Sequence, residues 1–418
     1  MSNRRNFLKI LGTGMAAATA NPVLAGVSRL KTNHRTLKIG LLSPQSSLFP
    51  AYPYSFLIGF RLGIDQHQAL RKKQIEIITE QVGYGTPFLS TQAARKLLYE
   101  NNVDMMTGIL GNEVVGQFAD LFQQKEVPFI VCNPGEYFPV ESLRKNPFLF
   151  FNTLNLYQSS FLQARYATTH YGKKGLIVTS LYDSGYDAVY AFTHGAEMEE
   201  GTTEVLVLRQ GKPDTVSEAL SRLKETAPDY VYALLSGDLA REFILRFRNE
   251  EGVSLPLMAT PFVTEEHFLT SLGASAADIE TIAPWTRNLD HPVNHDFVKS
   301  YRETNRSNPD MMAMLGYETG LLTYRALAGC NGDFSGSSLA RALRQARMSS
   351  PRGDFSFYPE TGWAQTPLYL TTLRGGLFHL LPEPHTEVLP ETVAANDLAF
   401  TALDTPLRSG WLNPYLFV

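Results

Sequence analysis

Val103-Asp104-Met105-Met106-Thr107-Gly108 is a short apolar run that reads as a strand, and Ile109-Leu110-Gly111-Asn112-Glu113 follows it as a loop opening a helix. Val114, Val115, Phe118, Leu121 and Phe122 then share one helical face. A second apolar run, residues 127–132, empties into another polar loop, Asn133-Pro134-Gly135-Glu136-Tyr137-Phe138. Two strands thus end in two polar loops. In an open α/β sheet, ligands bind beyond the carboxyl ends of the strands, where backbone N–H groups point outward.

Working outward, the same alternation extends both ways. Residues 37–42 read as a strand, 43–54 as a loop rich in Ser, Pro and aromatics, and Leu57, Phe60 and Ile64 as one helical face. Residues 74–81 alternate as a strand, and 90–101 form a helix with Ala94, Leu97 and Leu98 inward. After an extended apolar segment, 148–156, the pattern restarts with strands at 175–180, 204–208, 230–235 and 255–260, and helices at 186–199, 216–225 and 239–250. Residues 279–284 precede helices at 295–304, 311–328 and 338–346, and β-like pieces close the pattern at 353–358 and 368–373. Strand–helix alternation calls for parallel sheets with right-handed crossovers and helices on both faces. Its repetition implies two lobes. From residue 382 no period remains, and the tail reads either as an extended strap or as a loose segment.

The composition sets outer limits. With 418 residues, 44% of them hydrophobic, the chain can bury two ordinary cores. Its 37 basic and 41 acidic residues, a net charge of -4 without long basic runs, argue against a nucleic-acid partner. Arg4-Arg5-Asn6-Phe7-Leu8-Lys9 leads into a Gly- and Ala-rich run, 10–20, too short and too weakly apolar to span a membrane. This pattern predicts a twin-arginine signal peptide over residues 1–25, cleaved after Ala20 or Ala25, and places the mature chain outside the cytoplasmic membrane; a retained basic helix is the alternative. The two cysteines, Cys132 and Cys330, read as separate small hydrophobes, although an oxidising compartment permits a disulfide.

Motifs for catalysis are missing. The sequence has no Gly-x-Ser-x-Gly elbow, no His-Glu-x-x-His helix, no phosphate loop and no spaced Cys pairs, so no metal or cofactor is expected. Glu265-Glu266-His267 has the residue types of a metal site without the spacing and reads as the start of a surface helix.

Five stretches, in order, carry a resemblance. They are Leu37-Lys38-Ile39-Gly40-Leu41-Leu42-Ser43-Pro44, residues 103–111 followed by 127–134, Val178-Thr179-Ser180-Leu181-Tyr182-Asp183-Ser184-Gly185, Leu315-Gly316-Tyr317-Glu318-Thr319-Gly320, and Arg352-Gly353-Asp354-Phe355-Ser356-Phe357. Together they cover about residues 37–380 and resemble the type I periplasmic solute-binding proteins of the leucine/isoleucine/valine class, which feed ABC importers. The resemblance implies an α/β fold of two doubly wound parallel-sheet lobes joined by three hinge crossings, placed near residues 152–158, 283–290 and 349–353. Lobe one is then 37–154 with 286–350, lobe two 155–285 with 351–380, and 381–418 a C-terminal extension. It also implies a monomer that closes on a small molecule and delivers it to a membrane permease. A sensory binding protein signalling to a membrane receptor and an amide- or ester-processing enzyme on the same scaffold are the alternatives.

Carried onto this chain, the ligand loops give Asn112 and Glu136 in lobe one, and Tyr182, Asp183, Tyr186 and Phe262 in lobe two. Asn112 is either a ligand contact or a helix cap. Glu136 either meets a cationic ligand group or is a solvated charge. Asp183 either hydrogen-bonds ligand or caps the helix after it. Tyr52, Tyr54, Phe138, Phe262 and Trp285 read as an aromatic cleft rim or, singly, as packing residues. Amino-acid binders of the class use small hydroxyl residues in the lobe-one loops and an acid after the last lobe-two strand. Here those positions hold 111–113, 134–136 and Pro261-Phe262, which suits a ligand with a donor group and an apolar or aromatic body.

Overall fold

A computed structural model describes residues 36–47, 49–65, 75–136, 143, 145–183, 186–209, 211–212, 214–330, 332–375 and 380–388. The expected signal peptide, Phe138 and the tail after Val388 lie outside the described residues. The first sheet is built from β1 (Leu37–Ser43), α1 (Tyr52–Asp65), β2 (Ile75–Gln81), α2 (Pro87–Arg95), β3 (Met105–Ile109), α3 (Asn112–Gly116), α4 (Ala119–Lys125), β4 (Phe129–Asn133) and β5 (Leu149–Thr153). Its strands are all parallel in the order β2-β1-β3-β4-β5. Every residue of β3, β4 and β5 is buried, as strands covered by helices on both faces must be.

Local chemistry accounts for two shifts from the expected elements. The helix after β3 is divided: Gly116, a weak helix former, ends α3, and Phe118 leaves helical geometry at φ -135° before α4 begins. The helix expected at 90–101 starts earlier, because Pro87 is suited to a first turn, and it closes in a π turn, Lys96–Glu100, that buries Leu97 and Leu98.

The second sheet follows α5 (Leu156–His170) and holds β6 (Lys174–Ser180), α6 (Tyr186–Met198), β7 (Thr202–Leu208), α7 (Thr215–Thr226), β8 (Tyr230–Leu234), α8 (Gly237–Asn249), β9 (Leu257–Ala259), α9 (Glu266–Leu272) and β10 (Ile279–Ala283). Strands β7-β6-β8-β9-β10 are parallel, and β14 (Leu368–Gly375) and β15 (Leu380–Val388) extend the sheet antiparallel, giving seven strands. The periodicity gives no sign of α5, and its burial shows why: Leu156 to Ala164 are all buried although Gln158, Ser159, Ser160 and Gln163 are polar, so hydrophobicity does not trace the buried face. β15 carries Pro382 and Pro384, which an outermost strand tolerates because one side of it makes no ladder.

Between β10 and β14 the chain returns to the first sheet as α10 (Pro292–Asn305), α11 (Met311–Gly329), α12 (Gly336–Arg344), and an antiparallel trio, β11 (Arg347–Ser350), β12 (Gly353–Phe357) and β13 (Ala364–Gln365). α11 lies directly against α1. A Cβ on Gly59 would sit 2.0 Å from the Ala313 carbonyl oxygen, and one on Gly316 2.1 Å from that of Phe56, so the helices touch backbone to backbone. The antiparallel trio packs on the first sheet: Trp363 bridges to Phe151 and stacks on it at 3.8 Å, and Phe355 and Phe357 join the same core. The passage to the second sheet therefore comes after Gln365, through Thr366 and Pro367, later than the expected 349–353, because the aromatic side chains of this segment bury against the first sheet.

One ion pair joins these parts. Arg352 and Glu318 each have 0% side-chain exposure. Arg352 donates through Nε to Glu318 Oε1 (3.0 Å), through Nη2 to Glu318 Oε2 (2.6 Å) and Asn152 Oδ1 (2.9 Å), and through Nη1 to the Thr153 carbonyl (2.7 Å). Next to it, Asn155 Nδ2 donates to Thr366 Oγ1 (2.8 Å), linking the first and last passages between the sheets. Removing one charge of a buried pair strands the other. Glu318→Gln is expected to lower unfolding free energy by about 3–5 kcal/mol in urea titration. A loss below about 1 kcal/mol, the range of an exposed pair, would remove the pair from this role.

Candidate ligand cleft

The loops beyond the carboxyl ends of the two sheets meet through aromatic rings. After β1 the chain brings Phe49 onto Tyr52, stacked at 4.6 Å with 8° between the planes. After β9, Phe262 from the other sheet packs at 5.4 Å from Phe49 and 6.2 Å from Tyr52. All three are buried. Such ring pairs contribute about 0.5–1.5 kcal/mol each beyond the area they bury. A short 3-10 turn, Pro261–Thr264, presents Phe262 there, with Pro at its first position.

The two lobe-one residues expected at the ligand are brought together, but largely with each other. Asn112 is fully buried. Its backbone N–H donates to Glu136 Oε2 (3.2 Å), its Nδ2 to the Glu136 carbonyl (2.9 Å), and its Oδ1 accepts from Asn133 Nδ2 (2.8 Å). The cap position of α3 belongs to Gly111, so Asn112 is not the helix cap; its side chain instead stitches the loop after β3 to the loop after β4. Gly135, at φ +98°, closes that second loop against the first crossing, where a Cβ would lie 2.4 Å from the Asn155 nitrogen. Beside Asn112, Glu113 has a buried Oε2 with no hydrogen-bond partner, and burial pushes its carboxyl above the usual range.

On the second sheet, Asp183 is 2% exposed and acts as a brace. Its Oδ2 accepts from Ser180 Oγ (2.6 Å), and its Oδ1 accepts from Ser236 Oγ, which joins the loops after β6 and β8. Burial raises its carboxyl above the usual range, while the Ser180 and Ser236 hydrogen bonds oppose the shift. Tyr182, by contrast, is 43% exposed beside it. Tyr186 is the first residue of α6; its side chain is outside the described residues. Of the other aromatics expected at a rim, Tyr54 is exposed, whereas Trp285 is interior, donating from Nε1 to Asn294 Oδ1 (2.7 Å) and packing edge-on to Phe297.

Phe49 and Glu113 were not among the expected site residues, although Phe49 lies in the aromatic loop after β1 and Glu113 follows Asn112. Glu265, expected at the start of a surface helix, is 6% exposed. Cys132 and Cys330 are unbridged and buried, and burial pushes the Cys132 thiol up to about 12, beside Thr319 Oγ1 at 3.3 Å. Among the described residues no cluster of His, Cys, Asp and Glu could hold a metal ion, and no helix is long and apolar enough to cross a membrane.

The chain is 24% identical over 341 residues to Leu/Ile/Val-binding protein homolog 6 of Brucella suis biovar 1, a match covering 80% of this chain and 86% of that relative. An ABC transporter substrate-binding protein from Sphaerobacter thermophilus superposes with a TM-score of 0.76 at 23% identity, over 85% of this chain and 98% of the other. A solute binding protein of an ABC transporter from Rhodopseudomonas palustris BisB5, solved in complex with 3,4-dihydroxy benzoic acid, gives 0.73 at 24% identity over the same shares. These structures share the fold of two doubly wound sheets. The sequence model of the periplasmic binding protein family matches residues 36–376, most of the chain. By that match, and by the sheet order and strand-end loops described above, the chain belongs to the periplasmic binding protein family.

Proposed function

We propose that this protein is the exported solute receptor of an ABC importer and that it takes a small aromatic or amphipathic solute carrying an amine or amide donor. It performs no catalysis in this reading; it captures the solute between the two sheets and hands it to the membrane permease. The observation that carries the reading is the ring trio Phe49, Tyr52 and Phe262, contributed by both sheets at their carboxyl ends. An aromatic body sliding among rings from two lobes gives them a reason to close.

The polar groups favour a donor over an acid. Residues 111–113, 134–136, 181–183 and 260–262 contain Glu113, Glu136 and Asp183 and no Lys or Arg. The Rhodopseudomonas palustris protein was solved with an aromatic acid. Here, a carboxylate brought beside Glu113 would meet like charge, whereas an ammonium or amide N–H would satisfy its buried Oε2.

Calorimetry with three ring compounds tests this. Tyramine and benzamide are expected to bind at least about tenfold more tightly than 4-hydroxybenzoate, the cost of about one unfavourable charge contact. Glu113→Gln should weaken tyramine by about 2–5 kcal/mol, as removal of one partner of a buried charge pair does. Tightest binding of the carboxylate by the native protein, with no effect of the substitution, contradicts the proposal.

Export by the twin-arginine route belongs to the same reading and rests on Arg4 and Arg5 ahead of the Gly- and Ala-rich run. Replacing both with lysine is expected to hold the precursor inside the cell on fractionation. Normal export of that variant counts against the route.

A further inference from the structure

The segment that carries Phe262 makes a second contact with the other sheet's domain of the fold, and it is made by acids. Glu265 ends the 3-10 turn after β9 and reaches the N-terminus of α11, where its Oε1 accepts the Met311 N–H at 2.8 Å. Asp310, the cap of α11, sits beside it and accepts from the Ala313 N–H at 2.7 Å. Glu265 is 6% exposed. Two carboxyls thus share one buried helix end, one on each side of the junction. Like charges this close in a site of low dielectric cannot both ionise at little cost.

We infer that Glu265 and Asp310 form a proton-operated latch: with one proton between them, the Glu265 segment docks on α11, and when both are ionised it withdraws. The groups around the pair define how it titrates. Glu266 on the same segment accepts from Arg287 Nη1 (3.2 Å) and Asn308 Nδ2 (2.6 Å), so its charge is already matched. Facing Asp310 are Ser55, which donates to it, and Tyr301, whose phenol is pushed up to about 12 by burial first and by the Asp310 charge second; Tyr54 lies near Tyr301. His267, two residues from Glu265, is held below the usual histidine range by burial.

Within the pair, burial is the largest influence on both acids, and the Asp310 charge adds to that on Glu265, with the Met311 N–H bond and then Arg287 opposing. Glu265 is raised well above the usual range, and Asp310, supported by Ser55 and the α11 amides, is pushed up to about 6. Asp310 has the more hydrogen-bond donors around it, so the charge of the pair is the better supported there. The sign follows. A carboxyl whose value is raised on docking stabilises the docked form fully below its undocked value, about 4.3, and loses that contribution as pH rises through the docked value.

The Met311 amide reports docking directly, because Glu265 is its acceptor at the first position of the helix. Hydrogen exchange of that amide, corrected for the intrinsic rate, is measured on the full protein without ligand from pH 5 to 8. Its protection is expected to fall by up to about tenfold per pH unit over the interval between the two values of Glu265. Glu265→Gln, which keeps the acceptor and cannot ionise, should remain protected throughout, and His267→Gln should behave as the native protein. Protection that is independent of pH in the native chain, or a fall that survives in Glu265→Gln, overturns the latch. Carboxyl carbon NMR of the native protein decides the matter if that variant misfolds: Glu265 titrating near 4.3, the ordinary value, also overturns it. No solute enters these measurements, so their outcome is separate from that of the ligand assignment.

Discussion

A guanidinium without access to water holds the base of this molecule together. Arg352 is buried with Glu318 and satisfies four acceptor contacts, two on that carboxylate, one on Asn152 and one on the Thr153 carbonyl. Burying such a pair costs several kcal/mol per ion in desolvation, so it is tolerable only when its hydrogen bonds are complete. Here completeness requires the end of β5, the middle of α11 and the turn between β11 and β12 to be in register together. The constraint reaches further, since Tyr369 of β14 donates to the Arg352 carbonyl at 3.0 Å and Asn155 ties to Thr366. What is fixed at the passages between sheets leaves the strand-end loops as the place where geometry can change.

Those loops divide into braces and surfaces. Asn112, Asn133 and Asp183 spend their polar atoms on neighbouring loops, which fixes the shape of those loops. Phe49, Tyr52 and Phe262 supply the apolar contact between the sheets, and Glu113 supplies an acceptor that burial has left unmatched. The distinction has a physical basis. A side chain with every polar atom satisfied inside the protein gains nothing from a ligand, whereas an unmatched buried acceptor carries a desolvation cost that a ligand donor can relieve.

Much of the fold was legible because strand–helix alternation is a strong periodic signal. All five strands of the first sheet and β6, β8, β9 and β10 of the second fall where the apolar runs put them. α5 was not legible, since its buried stretch Leu156 to Ala164 includes Gln158, Ser159, Ser160 and Gln163, which break the apolar stripe on which helix reading depends. β15 was hidden by Pro382 and Pro384, residues that argue against a strand unless its place at the sheet edge is known. The position of the last passage depended on where Phe355, Phe357 and Trp363 bury, a tertiary choice that local pattern does not encode. Asn112, Glu136, Asp183 and Phe262 stand at strand ends, but what each faces is decided by distant partners: Asn133 and Glu136 lie 21 and 24 residues from Asn112, Ser236 lies 53 from Asp183, and the ring met by Phe262 is Phe49, far earlier in the chain. Glu265 shows the same limit: its charged neighbours in sequence suggested a surface, and its contact with Met311, 46 residues on, removed it from water.

Closure of the two sheets on a solute held at the ring trio, turning on passages that Arg352 and Glu318 keep in place, would draw the molecule together. Small-angle X-ray scattering of the protein with and without a saturating concentration of its tightest-binding ring compound tests it most directly. A smaller radius of gyration is expected with the solute, a change lost in Phe262→Ala. A scattering profile that is unchanged at saturation would contradict it.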